Sequence, residues 1–361
     1  MSQLIRTLRQ KLPATQVITD DLRRLAYGTD ASFYRLVPQV IAVIESENDL
    51  KSVLTAARQN NTPVTFRAAG TSLSGQAISD GVLALIGESF STCEISADAS
   101  KVSVGCGMIG GEVNRRLAPH GRKIGPDPAS INTCKIGGIA ANNASGMCCG
   151  TAQNSYRTLA GLRVMLADGT LLDSEDPASI ATFKQSHGAL LGELDRLGRD
   201  TRNNQKLAER IRHKFKIKNT TGYSLNALVD YEDPLDILAH LMIGSEGTLG
   251  FISRITYQTV PEDPCKASAL IFFPDIATAC QAVVRLKTQL VSAVELLDRA
   301  ALRSVEDKTG LPPVIRSLGE SAAALLVEVR SPEALGLQTR IDGALATIAG
   351  LAPLALPRLA T

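Results

Sequence analysis

Pro63-Val64-Thr65-Phe66-Arg67-Ala68-Ala69-Gly70-Thr71-Ser72-Leu73-Ser74-Gly75-Gln76 stands just ahead of the apolar run Gly81-Val82-Leu83-Ala84-Leu85-Ile86. Past Arg67 it consists almost entirely of small residues and hydroxyls. Side chains this short let backbone N–H groups turn inward and approach a ligand closely, which is how a chain cradles a diphosphate. The stretch lacks the lysine of a nucleotide-hydrolysing phosphate loop, and G-x-x-x-x-G-K-[ST] occurs nowhere in the chain. It implies a bound dinucleotide rather than a nucleotide to be hydrolysed, with a ligand-free tight turn as the alternative.

Two later segments share this character. Gly125-Pro126-Asp127-Pro128-Ala129-Ser130 leads into Lys135-Ile136-Gly137-Gly138-Ile139-Ala140-Ala141-Asn142-Asn143-Ala144-Ser145-Gly146. Far downstream stands Gly244-Ser245-Glu246-Gly247-Thr248-Leu249-Gly250-Phe251-Ile252. Each is rich in glycine, short of bulky side chains and flanked by apolar runs. Three such segments, distant in sequence, point to one long ligand threaded between backbone segments.

On these residues the chain resembles the FAD-binding domain of the vanillyl-alcohol-oxidase superfamily, the p-cresol-methylhydroxylase type. Within it, the likeness is to FAD-linked D-2-hydroxyacid dehydrogenases, which oxidise D-lactate, D-2-hydroxyglutarate or glycolate. The motifs run in order from about Val37 to Pro261: R-x-x-G-T-S-x-x-G, P-D-P-x-S, G-G-x-x-A-N-N-A-S-G, D-G-T and G-S-E-G-T-L-G. The resemblance implies an α+β fold: a two-subdomain FAD-binding fold followed by an incomplete α/β cap domain. It also implies the N-terminal portion of a longer FAD and iron–sulfur oxidoreductase.

Bulk properties fit without requiring this. A chain of 361 residues is long for one core, so two domains are expected. The net charge is +2, with both signs dispersed and no basic run, which argues against nucleic acid as a partner. The N-terminus lacks an apolar stretch of signal-peptide length, and no run reaches the roughly 20 apolar residues that cross a bilayer. A cytoplasmic protein, free or peripheral to the inner membrane, is the expectation. The seven cysteines show no C-x-x-C spacing, and the adjacent Cys148-Cys149 does not suit one metal, so reduced thiols and no metal site are expected. The four histidines form no H-x-x-x-H pattern and read as surface or half-buried residues.

Along the chain, residues 1–36 read as a helical lead-in, 37–262 as the FAD-binding domain and 263–361 as a partial cap or substrate domain. Val37 to Ile44, Pro63 to Phe66 and Gly81 to Ile86 read as strands, and Glu47 to Asn60 as an amphipathic helix with Leu50, Val53, Leu54 and Ala57 on one face. Asp168-Gly169 between two apolar runs signals a hairpin. Residues 174–218 read as a polar helical insertion or solvated helices. Gly105-Cys106-Gly107-Met108-Ile109-Gly110 matches the dinucleotide fingerprint G-x-G-x-x-G, a rival reading. That reading wants an acidic residue closing the next strand about 20 residues on. Here His120 to Asp127 reads as a turn. After Pro261-Glu262-Asp263-Pro264, strands alternate with helices up to Leu351-Ala352-Pro353-Leu354-Ala355-Leu356-Pro357-Arg358, an unfinished ending that predicts an uncovered strand edge and exposed apolar surface.

The resemblance also implies site residues. Arg67, Ala68, Ala69, Gly70, Thr71, Ser72, Ser74, Gly75 and Gln76 would wrap the FAD pyrophosphate, although Arg67 could equally form a surface ion pair. Pro126, Asp127 and Ser130 would line the isoalloxazine side. Gly137, Gly138, Ala141, Asn142, Ser145 and Gly146 would follow the ribityl and phosphate region, and Glu246, Thr248, Gly250 and Ile252 would complete the nucleotide end. Ser145-Gly146 and Gly250 could instead serve only as turns. Some relatives tether FAD through a histidine near the first loop. No histidine precedes His120 here, so non-covalent FAD is expected.

Oxidising a small 2-hydroxyacid requires a cation for the carboxylate and a base for the hydroxyl proton. The H-x-G-D-G-N-x-H segment that supplies much of this in the family is absent, as are the C-terminal cysteine clusters of longer relatives. Tyr223 and Asn226 are candidates for the active-site wall, with Lys218 either a substrate contact or a solvated lysine. Electrons would pass to a quinone, cytochrome or iron–sulfur protein. The alternatives are a flavin-binding fragment or subunit, silent without a partner chain or a C-terminal region, and an NADPH-dependent reductase on the same fold.

Overall fold

The computed structural model describes residues 2–351, 353–354 and 359–360, so most of the ending at 351–358 lies outside it. The chain divides into two units, 1–260 and 261–361.

The first unit opens with α1 (Gln3–Lys11), β1 (Val17–Ile18), α2 (Asp21–Ala26), β2 (Val40–Ile44), α3 (Glu47–Gln59), β3 (Val64–Arg67) and β4 (Val82–Ile86). They form a four-stranded sheet ordered β1-β2-β4-β3. β2, β4 and β3 run parallel, while β1 joins antiparallel. Val-Ile-Ala-Val-Ile in β2 and Val-Leu-Ala-Leu-Ile in β4 are almost wholly buried, as parallel strands covered on both faces must be. The α3 helix is fixed at its start by Ser46, whose hydroxyl accepts from the Asp49 N–H, and Leu50, Val53, Ala56 and Ala57 face the core. Leu54, expected on that face, is only partly buried, and Ala56 takes its place.

Residues 1–36 are more than a lead-in. Leu4, Leu8 and Leu12 are buried among Val17, Val40, Ala42 and Val53, and β1 extends the sheet, so the segment belongs to this core.

A second, antiparallel sheet follows. Its elements are β5 (Cys93–Ile95), β6 (Lys101–Gly105), α4 (Gly110–Leu117), β7 (Arg122–Ile124), α5 (Ile136–Asn142), α6 (Ser155–Thr158), β8 (Leu159–Met165) and β9 (Leu171–Asp173). After them come α7 (Pro177–Ser186), α8 (Gly188–Asn203), α9 (Gln205–Lys214), α10 (Ala227–Asp230), α11 (Pro234–Met242) and β10 (Phe251–Pro261). The strand order is β5-β6-β10-β8-β9, with β7 also on β10. At the hairpin between β8 and β9, Gly169 adopts φ +87°, the conformation that an Asp-Gly turn supplies without strain.

Two expectations are corrected here. The stretch His120–Asp127 is not simply a turn: Gly121 at φ +64° ends the preceding helical turn and Arg122–Ile124 is a strand. Arg122 secures it by donating to the Thr259 carbonyl at 2.7 Å. The G-x-G-x-x-G stretch nonetheless opens α4 from an antiparallel sheet, outside any parallel strand–helix–strand unit. Residues 174–218 are helical as read, but the helices are not solvated throughout. Phe183, Leu191 and Leu194 are buried in the same core as Tyr257 and Ile237. Their spacing on α7 and α8 hides an apolar face behind a charged composition.

The second unit comprises β11 (Cys265–Phe273), α12 (Ile276–Leu286), β12 (Ala293–Leu297), α13 (Arg299–Arg303), β13 (Ala323–Ser331), α14 (Ala334–Ile348) and β14 (Leu359–Ala360). Strands and helices alternate as read, and pairing is antiparallel throughout in the order β12-β13-β11-β14. This is the split β-α-β arrangement of ferredoxin-like domains. Alternate residues of β11 serve opposite faces. Ala269, Ile271 and Phe273 meet Ala279, Leu286 and Ile348 of the helices, while Phe272 packs with Leu302 and Ile315. Val284, Leu290 and Leu335 are exposed apolar residues of this unit.

Candidate functional site

The loop that follows β3 leaves the C-terminal end of the parallel sheet, the usual ligand-binding edge of α/β sheets. Together with α5 and the loop between α11 and β10 it encloses a cavity of about 710 Å³, within the range of roughly 300–1,000 Å³ typical of cofactor sites. The first loop lines it with Ala68, Ala69, Gly70, Thr71, Ser72, Ser74 and Gln76. Ser130, Gly137, Gly138, Ala141, Asn142 and Ser145 come from the second segment; Glu246, Gly250 and Ile252 come from the third. Lys218 stands on the lining and reaches the Gly146 carbonyl at 3.4 Å.

Local chemistry shapes these loops. Gly70 and Gly75 take φ +69° and +80°. The Ser72 hydroxyl donates to the Gln76 side-chain oxygen and accepts from the backbone N–H groups of Ser74 and Gln76, closing a local turn. In the third loop Gly244, Glu246 and Gly247 all have positive φ. The Asn142 amide donates to the Glu246 carboxylate at 2.5 Å, joining the second and third segments. Burial pushes the Glu246 carboxyl above its ordinary value.

Other residues named from the sequence lie off the cavity lining. The Arg67 guanidinium donates to the carbonyls of Tyr27, Thr29 and Ala77, so it forms neither a surface ion pair nor a wall of the cavity, but braces the loop from behind. Asp127 accepts from the backbone N–H groups of Gly146, Cys148 and Cys149. Gly146 faces Asp127 so closely that a Cβ would collide with its carbonyl oxygen. Pro126 and Gly75 are also off the lining. Thr248 donates to the Ser245 carbonyl at 2.6 Å and lies 2.9 Å from the Tyr223 hydroxyl. Asn226 is buried and donates to Asp230, which also accepts from Tyr156. Tyr223 and Asn226 therefore lie off the lining of this cavity.

Several lining residues escaped the sequence reading. Phe66, Ile86, Cys106 and Phe251 supply an apolar side, and Phe66 and Phe251 lie 5.0 Å apart between ring centres. Lys135 and Cys134 also line the cavity. Burial raises both thiols, that of Cys106 far above the ordinary range. The signal for Lys135 was its place two residues before the Gly137-Gly138 pair.

A dinucleotide fits this cavity by its own features. Small side chains floor it, and at Gly138 the nearest atom to an added Cβ would be the Ala68 methyl at 3.6 Å, so the missing side chain leaves room inside rather than a packed contact. Aromatic and aliphatic groups at Phe66, Phe251 and Ile252 suit a ring system.

Comparison with known families gives the same partition. Residues 38–175 match the FAD binding domain, and residues 263–355 match the C-terminal domain of FAD linked oxidases. The chain belongs to the FAD-linked oxidases. Among curated members of the group, glycolate oxidase subunit GlcD of Escherichia coli K12 is 24% identical over 311 residues, covering 85% of this chain and 52% of the relative. D-2-hydroxyglutarate dehydrogenase of Pseudomonas putida is 27% identical over 267 residues, 72% of this chain and 26% of the relative. D-lactate dehydrogenase of Archaeoglobus fulgidus is 26% identical over 316 residues, 83% of this chain and 58% of the relative. This FAD-linked oxidase chain thus spans between about a quarter and a little over half of these relatives. Alkyldihydroxyacetonephosphate synthase shares the fold, with a TM-score of 0.65 at 15% identity over 98% of this chain and 61% of that one. So does Physcomitrella patens BBE-like 1, at 0.63 and 13% over 99% and 62%. Among the described residues no helix is long and apolar enough to cross a membrane.

Proposed function

We propose that this chain holds FAD in the cavity and takes part in oxidising a D-2-hydroxyacid to the 2-oxoacid, with electrons passing to a quinone, cytochrome or iron–sulfur partner. The observation that carries the reading is the meeting of three glycine-rich segments around one cavity at the sheet's C-terminal edge. The names of the relatives support the substrate class. Bound FAD would supply the two-electron chemistry of that oxidation.

The chain's own residues would act as follows. The loop 68–76 offers backbone N–H groups to the cofactor, held in shape by Arg67 behind it and by the Ser72–Gln76 turn. The Asn142–Glu246 bond keeps the second and third segments in register. Lys218, exposed at the lining, is placed to attract a substrate carboxylate. No histidine is among the described lining residues, which supports FAD held non-covalently.

A second reading is favoured by one observation. Among the described residues, the ionisable groups on the lining are Lys135, Lys218, Glu246 and the Cys106 and Cys134 thiols. Glu246 already accepts from Asn142, and the thiols are held protonated by burial. On this reading the chain binds FAD but turns over only when a partner chain or further sequence contributes the base. Reconstitution with FAD, followed by D-lactate, D-2-hydroxyglutarate or glycolate with an artificial dye, separates the two. Turnover sinks the second reading; a flavin spectrum without turnover sinks the first for this chain alone. A chain that stays colourless with FAD sinks both.

A further inference from the structure

We propose that Lys135 is the cation that holds the diphosphate of the bound dinucleotide, an inference that rests on the FAD reading above. Lys135 directly precedes α5, and its ammonium reaches the Ile86 carbonyl at 3.3 Å, at the end of β4. β3 pairs with β4 in parallel with Arg67 opposite Leu85, so the next residue along, Ala68, begins the small-residue loop level with Ile86. The ammonium therefore sits at the root of that loop, on the same cavity lining as Gly137 and Gly138.

Its surroundings leave it short of partners. The Lys135 side chain is only 16% exposed, and its carboxylate neighbour, Glu88, is 87% exposed and 3.6 Å away. An ammonium carries three donors, and one so withdrawn from water is stable only when hydrogen bonds or an opposite charge compensate it. One carbonyl and one solvated carboxylate answer that need in part. The loop 68–76 contributes N–H dipoles but no charge, and Arg67 is committed to the carbonyls behind the loop. The remaining cation on the described lining, Lys218, is exposed. A diphosphate entering the cavity would meet Lys135 as the more enclosed of the two cations on the described lining, in a charge-assisted contact stronger than a neutral hydrogen bond.

The test titrates flavin-free protein with FAD and with riboflavin, which lacks phosphate, following flavin fluorescence at low and high salt. K135M is expected to weaken FAD at least about tenfold, to leave riboflavin unchanged and to flatten the salt dependence, with K135R restoring most of the loss. K135Q serves the same purpose should K135M fail to fold. Equal weakening of FAD and riboflavin would reveal a packing role and overturn the proposal, as would unaltered FAD affinity. A phosphate-specific loss in K218M with none in K135M would overturn it too. Failure of the unmutated chain to bind FAD is a different result: it removes the flavin reading itself, and this inference with it.

Discussion

Asn142 and Glu246 meet at 2.5 Å across 104 residues of sequence, the amide donating to the carboxylate. Glu246 stands at φ +53°, between Gly244 at +83° and Gly247 at +75°. A side chain in the left-handed region costs roughly 1–2 kcal/mol, and such strain persists only where neighbours over-determine it. Here the Asn142 bond and the Glu246 N–H donated to the Ala141 carbonyl at 2.9 Å do so. The third loop is thus locked onto the end of α5, and the cavity is defined before any ligand enters.

The same pair gives a pH prediction. Burial, only partly offset by the Asn142 bond, raises the Glu246 carboxyl pKa above its ordinary value. A group raised in the folded state contributes its stability below the unfolded pKa and loses it as pH climbs through the folded one. Gln at this position keeps an acceptor for Asn142 and never ionises. E246Q is therefore expected to melt above the parent at pH 8 and to match it near pH 4. A difference that is constant with pH, or of opposite sign, would contradict the assignment; thermal unfolding of the flavin-free forms measures it.

Arg67 supplies a stability prediction distinct from that for Lys135. Its guanidinium donates to the Thr29 carbonyl at 2.8 Å and to those of Tyr27 and Ala77 at 3.2 and 3.3 Å, and lies over the Tyr27 ring at 5.4 Å. Removing it strands half-buried carbonyls, so R67M should lose about 2–4 kcal/mol in urea unfolding. R67K should recover little, because a single ammonium cannot span the fork. FAD and riboflavin affinities should fall together. A selective loss of FAD would make Arg67 a phosphate ligand after all.

Much of this arrangement could be read from the sequence wherever the information is local. The buried runs of β2 and β4 declare parallel strands, Asp168-Gly169 declares its hairpin, and the small-residue loops declare a close backbone approach. Side-chain direction is another matter. Arg67 and Asp127 belong to the motifs that carry the family likeness, yet both point away from the cavity into backbone groups that sequence cannot place beside them. Lys135 is the converse: its Ile86 contact arises only when α5 meets the end of β4. Strand–helix alternation after Pro261 likewise leaves pairing direction open, and the antiparallel order comes from tertiary contacts.

Asp127 also sets thiol reactivity. Its carboxylate holds the Gly146, Cys148 and Cys149 N–H groups at 2.9, 3.2 and 3.2 Å. Cys149 beneath it is 2% exposed, and burial with the adjacent carboxylate pushes its thiol up to about 11. Alkylation at pH 8 followed by peptide mapping should label exposed Cys280 first and spare Cys149. In D127A both the capping bonds and the opposing charge are gone, so labelling of Cys149 should accelerate about tenfold or more. Protection that survives the substitution would show that packing alone shields the thiol.

Gly138 sets stability against binding. It lies within α5, where glycine is less favourable than alanine by roughly 0.5–1 kcal/mol, and the only described atom near an added Cβ is the Ala68 methyl at 3.6 Å. G138A should therefore leave the flavin-free protein as stable as the parent or slightly more so. The new methyl projects into the space between α5 and the first loop, so FAD affinity should drop about tenfold, and G138L should abolish binding with the fold intact. Gly137 behaves differently, because its added Cβ would press the Cys106 side chain at 2.9 Å and G137A should destabilise the protein itself. Opposite signs for the two neighbouring glycines, read by thermal unfolding beside FAD titration, are what a cavity on this face of α5 requires. Equal destabilisation would mean that both glycines serve packing alone.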